Sequence, residues 1–198
     1  MGDRYHSFAE LEERETEGRS WSREYRPRPS RFLIMAPHGG WIEPFTSELA
    51  EAVAGTDLSF YTFRGIRDGS SRTLHLTSHR FDEPLALEAA RKAQVVVAIH
   101  GEKTRDEAFI MVGGAHPVLR QKLREALTSA GFQVKRPRVG LGGENPRNIC
   151  NRGGAGAGVQ LEVSEALRRE FRTQNRLLDR FTKAVRGVLL GTNREPET

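Results

Sequence analysis

One cysteine, Cys150, in a chain of 198 residues excludes an intramolecular disulfide and any four-cysteine zinc site, so packing and secondary structure must supply the stability. Long apolar runs are missing too. None approaches the roughly 20 residues that span a bilayer, and the first residues, with Asp3, Arg4 and Glu10, lack the apolar centre of a signal peptide. The expectation is a protein cytoplasmic as synthesised, with no membrane partner. There is no dinucleotide fingerprint, no phosphate loop, no internal repeat and no low-complexity tract. A hydrophobic content of 37% with 29% charged residues is near the soluble average, which excludes global disorder.

What is present suffices for one ordinary domain with a core. The formal net charge of +5 is concentrated at one end: residues 167 to 198 hold eight Lys or Arg against four Asp or Glu. In "LRREFRTQNRLLDRFTKAVRGVLL", Leu167, Phe171, Leu178, Phe181, Val185 and Leu189 recur at helical spacing, which reads as one amphipathic helix whose other face carries the arginines. Such a face is ordinarily solvated, and its alternative use is attraction of a polyanion. It lacks interleaved aromatics, so a basic nucleic-acid-binding protein is a minor reading and no nucleic-acid partner is expected.

Residues 1–30 read as a polar N-terminal extension, with "SFAELEERE" as a short helix and "YRPRPSR" as an extended lead-in. Residues 191–198 read as a polar tail. Between them, from 31 to 190, strand and helix signals alternate. "RFLIMA", "LSFYTFRG", "TLHLTS", "QVVVAIHG", "AFIMVGG", "FQVKR" and "GVQLEVS" are strand-like. "TSELAEAVAG", capped by Thr46 or Ser47, "EPLALEAARKA" and "HPVLRQKLREALTSAGF" are helical. This alternation predicts a single-domain, three-layer α/β fold with a mixed, largely parallel central sheet.

In such folds functional groups gather beyond the carboxyl ends of strands. His38 lies two residues past "FLIMA", Glu43 follows in the same glycine-rich loop, and His100 comes directly after "VVVAI". Two histidines and a carboxylate form the ligand set of a catalytic zinc with an open position. The competing reading is a pair of hydrogen-bonded turn histidines. Glu162 interrupts the apolar strand "GVQLEVS"; it is either an outward-facing strand residue or a buried carboxylate acting as general base. Cys150 reads as a small buried residue, and His116 as a surface or capping residue before Pro117.

With these residues assembled, eight stretches resemble, in order, the phage and bacterial poly-γ-glutamate hydrolase family: "APHGGWIEPFTSELA", "FYTFRG", "LHLTSHRFDEP", "VVVAIHGEK", "MVGGAHPVLRQKLREAL", "GFQV", "NPRNICNRG" and "GVQLEVSEALRREF". The family's fold is similar to the zinc carboxypeptidases. The resemblance implies that His38, Glu43 and His100 hold one Zn2+ per chain and that Glu162 is the catalytic base. It implies hydrolysis of γ-glutamyl amide bonds in poly-γ-glutamate, a capsule polymer, by a monomer released through lysis if phage-related. A substrate with one carboxylate per residue calls for arginines and amide donors. Arg152, with Asn148 and Asn151 beside it, is the leading candidate, against a purely architectural role for the asparagines in a loop. Arg64, Arg80 and the strand-end His79 are further candidates, with salt bridges or backbone hydrogen bonds as their alternatives. An amidase or carboxypeptidase-like enzyme acting on another acidic peptide or acyl amino acid is the second enzymatic reading.

Overall fold

Consecutive valines and isoleucines escape water together only in a sheet covered on both faces, and Val95–Glu102 is buried at every position. The computed structural model describes residues 3–67, 69 and 71–192. Along the chain they form α1 (Phe8–Arg14), β1 (Trp21–Arg26), β2 (Phe32–Gly40), α2 (Thr46–Ala54), β3 (Ser59–Gly65), α3 (Pro84–Lys92), β4 (Val95–Glu102), β5 (Ile110–Gly113), α4 (Pro117–Ser129), β6 (Val134–Lys135), β7 (Val159–Ser164), α5 (Glu165–Thr173) and α6 (Asn175–Thr192). The strands make a single sheet in the order β1-β3-β2-β4-β7-β5-β6. Neighbours among β3, β2, β4 and β7 run parallel, while β1 and β5 pair antiparallel with β3 and β7. The expected three-layer α/β architecture with a largely parallel sheet is what the chain adopts.

Alternation along each strand divides the core in two. Odd-numbered Val95, Val97 and Ile99 join Leu49, Leu123, Phe171 and Phe181 on the face covered by α2, α4, α5 and α6. Even-numbered Val96 and Ala98 join Phe8, Leu11, Ala86 and Ile149 on the face covered by α1, α3 and the loops. His100 continues the second series past the core edge, which is why an imidazole emerges there. Among the described residues no helix is long and apolar enough to cross a membrane.

Four local expectations are revised. The stretch 3–30, expected as a polar extension, supplies the edge strand β1 and buries Tyr5, Phe8, Leu11 and Trp21; its charges sit on the outer face of elements whose inner face is aromatic. "TLHLTS" is a short 3-10 turn, Ser71–Leu74, followed by loop rather than a strand, because alternating residues alone do not provide a pairing edge. The single C-terminal helix is two, interrupted at Gln174, where a Thr-Gln-Asn run of modest helix propensity permits the bend. The N-cap of α2 is Phe45, held at φ 75°, while Thr46 and Ser47 turn their hydroxyls to the His38 and Glu43 carbonyls and to Thr62 instead. Of the expected tail 191–198, residues 193–198 lie outside the described residues.

Trp21 stacks on Phe63 at 5.3 Å and is 1% exposed. Trp21→Ala is therefore expected to lower the urea-unfolding free energy by about 3–5 kcal/mol, the range for a buried aromatic deletion; a detachable extension would show almost none.

Candidate metal centre and its cleft

The centre begins with a bulge. Between the pairs Ala36–Thr62 and Gly39–Arg64, β2 uses one more residue than β3, so Pro37–His38 bows out of the ladder. Bulges re-aim side chains beside functional sites and are among the few places a sheet tolerates proline. Gly40 then turns the chain at φ 60°, where a Cβ would fall 2.3 Å from the Gly65 carbonyl oxygen. The turn brings Glu43 back under the sheet edge, with its amide donating to the His38 carbonyl at 2.9 Å. His100 and Glu162 are register partners at the carboxyl ends of adjacent strands β4 and β7.

Three of these side chains meet at one point. His38 Nδ1 lies 3.2 Å from Glu43 Oε1 and 3.1 Å from His100 Nδ1, and His100 Nδ1 lies 3.7 Å from Glu43 Oε2. His38 Nε2 is 2.8 Å from the Leu76 carbonyl oxygen, an acceptor only, so Nε2 donates there and Nδ1 faces Glu43 and His100. Ser78 Oγ, 3.4 Å from His100 Nε2, serves the second ring in the same position. Glu43 Oε2 accepts from the Gly101 amide at 2.7 Å. Two ring nitrogens and a carboxylate so directed at one another, with both imidazoles only 1–2% exposed, call for a shared proton or a metal cation among them. Burial opposes ionisation of Glu43, but the charges and hydrogen bonds of His38 and His100 outweigh it and hold that carboxyl well below the usual range.

Glu162 shifts the other way. Burial first, then the charges of Glu43 and Glu102, push its carboxyl well above the usual range, with the Arg168 guanidinium offsetting only part. Gln160, two residues earlier on the same strand face, donates from Nε2 to Glu162 Oε1 at 3.1 Å and accepts from Asn148 Nδ2 at 2.9 Å. Arg168, itself buried, fixes the surrounding backbone. It donates to the carbonyls of Val163 and Glu102 at 3.1 Å and to that of Pro44.

The cleft above the centre, about 770 Å³, is lined by His38, Glu43, His100 and Glu162, and also by Asn148 and His79. The remaining candidates stand elsewhere. Asn151 is buried in loop architecture, donating to the Gly143 and Asn145 carbonyls and accepting from the Ala115 and Gly158 amides. Arg64 leans toward Glu24 at 3.7 Å on the far edge of the sheet. Arg152 is exposed and absent from the cleft lining, because the chain there descends to the amino end of β4, where Gly154 and Ala155 bond Ala93 and Gln94. Among the described residues, no arginine–asparagine pair therefore lines the cleft above the centre.

His75, from the loop before His79, also reaches the centre. Its ring lies 4.1 Å from that of His38, its Nε2 is 3.8 Å from Glu43 Oε1, and its Nδ1 donates to Asp3 at 2.7 Å. With His38 and Glu43 it forms a potential metal-holding group whose ligand atoms all lie within 4.8 Å of one another. The His38 charge and then burial push its pKa down to about 4. The alternation in "TLHLTS" does not mark it, since these residues form a turn and a loop; Gln160, by contrast, was recoverable from strand alternation with Glu162. Cys150 is buried with its thiol pushed up to about 12 by burial, and His116 caps α4 by accepting from the Leu119 amide.

A family model described as poly-gamma-glutamate hydrolase matches residues 5–187. UPF0714 protein YmaC of Bacillus subtilis (strain 168) is 35% identical over 199 aligned residues, covering 94% of this chain and 84% of YmaC. The structure of a bacteriophage poly-gamma-glutamate hydrolase superposes with a TM-score of 0.93 at 31% identity, over 97% of this chain and 99% of the other. A zinc-free apo form of YndL superposes at 0.90 with 30% identity, over 96% and 99%.

The raised proton affinity of Glu162 has a stability consequence. The folded carboxyl holds its proton above the ordinary value of 4.5 at which the unfolded one releases it, so the wild type loses stability as pH rises from there toward the folded pKa. In chelator, Glu162→Gln is expected to unfold at higher urea than wild type near about pH 8 and at the same urea near about pH 4. Equal midpoints at both pH values would contradict the assignment.

Proposed function

The chain belongs to the poly-γ-glutamate hydrolase family, and from that premise we propose that it is a zinc-dependent hydrolase of γ-glutamyl amide bonds, active as a monomer on poly-γ-glutamate. The observation that carries the reading is the convergence of His38 Nδ1, Glu43 and His100 Nδ1 beside Glu162, a buried carboxyl of raised proton affinity. Two imidazole nitrogens and a carboxylate suit one zinc ion per chain with a position left open, and carbonyl or hydroxyl partners on the outer ring nitrogens are the usual support for such ligands. A bound zinc ion would polarise the amide carbonyl and lower the pKa of a water toward ~7.

The other steps belong to the chain's own side chains. With a cation held beside Glu43 to offset the negative charge that raises it, Glu162 starts as a carboxylate; it then takes the proton that the attacking water gives up as its oxygen bonds the amide carbon, and returns it to the nitrogen as the C–N bond breaks. A carboxyl with raised proton affinity suits both halves of that transfer. Gln160 holds Oε1 so that the other carboxyl oxygen is free to face the substrate. The buried Cys150 thiol, held protonated, takes no part.

Purified protein is expected to contain about one zinc ion per chain, to lose activity in chelator, and to shorten γ-linked polymer as followed by size-exclusion chromatography. Glu162→Gln is expected to keep the metal and to lower kcat by roughly a thousandfold, within the range for removing a general base. Zinc-loaded wild type that leaves the polymer length unchanged would overturn the substrate assignment.

A further inference from the structure

The cleft continues past the His38–Glu43–His100 centre. Glu43, His75, Thr77, Gly101 and Lys103 line both the first half and a second recess of about 710 Å³, whereas Glu162 lines only the first. One wall of the recess is the polar face of α5. Glu165, Arg168, Arg169 and Arg172 recur there at i, i+3, i+4 and i+7, while Leu167 and Phe171 on the other face are buried. Arg72, from the turn Ser71–Leu74, and Trp41, which is 41% exposed just after the Gly40 turn, complete it.

These cations do not have equal freedom. Arg168 is spent on three backbone carbonyls, and Arg169 pairs with Glu165 at 2.5 Å. Arg72, Lys103 and Arg172 are exposed and have no ion-pair partner among the described residues. In the first half of the cleft the carboxylates Glu102 and Glu144 are matched by Arg138 and Arg120. Of the unmatched cations, Lys103 stands where the two halves meet, and Arg72 and Arg172 line only the recess.

We propose that this recess is a subsite arm holding the carboxylates of the poly-γ-glutamate chain on one side of the scissile amide, with Arg72, Lys103 and Arg172 as receptors; it rests on the hydrolase reading above. The polymer alternates carboxylates with short methylene spacers, and the arm offers exposed guanidinium and ammonium groups beside an exposed indole. A chain lying in the arm passes Lys103 and Gly101 to reach the centre. Because Ser164 caps α5 only two residues after Glu162, the helix places Arg172 in fixed relation to the base. The arginines at 176 and 180 on α6 line neither half of the cleft.

The test compares Arg72→Gln/Arg172→Gln with Arg176→Gln/Arg180→Gln, which removes the same charge outside the cleft. The first variant is expected to raise KM for long γ-linked polymer by roughly tenfold, about the scale of losing exposed charge-assisted hydrogen bonds, with kcat nearly unchanged. Binding of the polymer to chelator-treated protein is expected to weaken by a similar factor and to become less sensitive to salt. The second variant is expected to match wild type in all three. Unchanged KM and affinity in the first variant, or an equal loss in the second, overturns the proposal. So does tighter binding of a DNA duplex than of polymer through the same arginines. If wild type binds the polymer through the arm without shortening it, the hydrolase reading fails and the arm stands. If it shortens the polymer and the first variant behaves as wild type, the arm alone fails.

Discussion

Two imidazole nitrogens and a carboxylate, spaced 3.1 to 3.7 Å apart and shielded from water, cannot all keep unshared lone pairs, and much of the surrounding structure holds that crowding in place. The bulge at Pro37–His38 aims one ring, the Leu76 carbonyl holds its Nε2, and the Gly101 amide fixes the carboxylate. Arg168 binds carbonyls at the ends of β4 and β7 and in the loop after β2. One buried guanidinium thus ties the loop after β2 to the ends of two adjacent strands. Gly101 is the residue that admits it: a Cβ there would sit 2.7 Å from the guanidinium carbon and 2.9 Å from Glu43 Cβ. The demand for a cation and the geometry that creates it are therefore products of the same few backbone choices.

Two glutamates in one centre end with opposite protonation tendencies. Both are penalised by burial, but Glu43 faces the two histidines, whereas Glu162 faces Glu43 and Glu102 with only partial relief from Arg168. Residue type thus sets neither role; neighbours do. A carboxylate kept ionised suits a ligand, and one of raised proton affinity suits a proton carrier. The register pairing of His100 with Glu162 makes this division possible, since it sets the carrier beside the centre on the same sheet face.

Much of the fold was legible in the sequence because it rests on periodicity. The runs at 32–36, 95–99 and 159–163 became parallel strands, and the chemistry gathered at their carboxyl ends as strand topology requires. What escaped were features that depend on long-range partners. The N-terminal segment looked polar by composition, yet Tyr5, Phe8 and Trp21 are core residues whose burial depends on β3 and α3, not on local pattern. His75 carries no spacing signal, as it reaches the centre from a loop anchored by Asp3 and Thr77. Arg152 looked suitable beside two asparagines, but the Asn151 side chain is consumed by the loop's own backbone, Asn148 Nδ2 is bound to Gln160, and the arginine leaves with the descending chain. The C-terminal arginines, taken as one solvated face, divide between a buried clamp, a cleft wall and open surface once the helix breaks at Gln174.

The most direct test of the central claim is anomalous diffraction at the zinc edge from crystals of the zinc-loaded protein. The account predicts one peak about 2 Å from His38 Nδ1, a Glu43 carboxylate oxygen and His100 Nδ1, with Glu162 near it but outside bonding distance. No peak at this position, or a zinc ion held by His75 in place of His100, would contradict it.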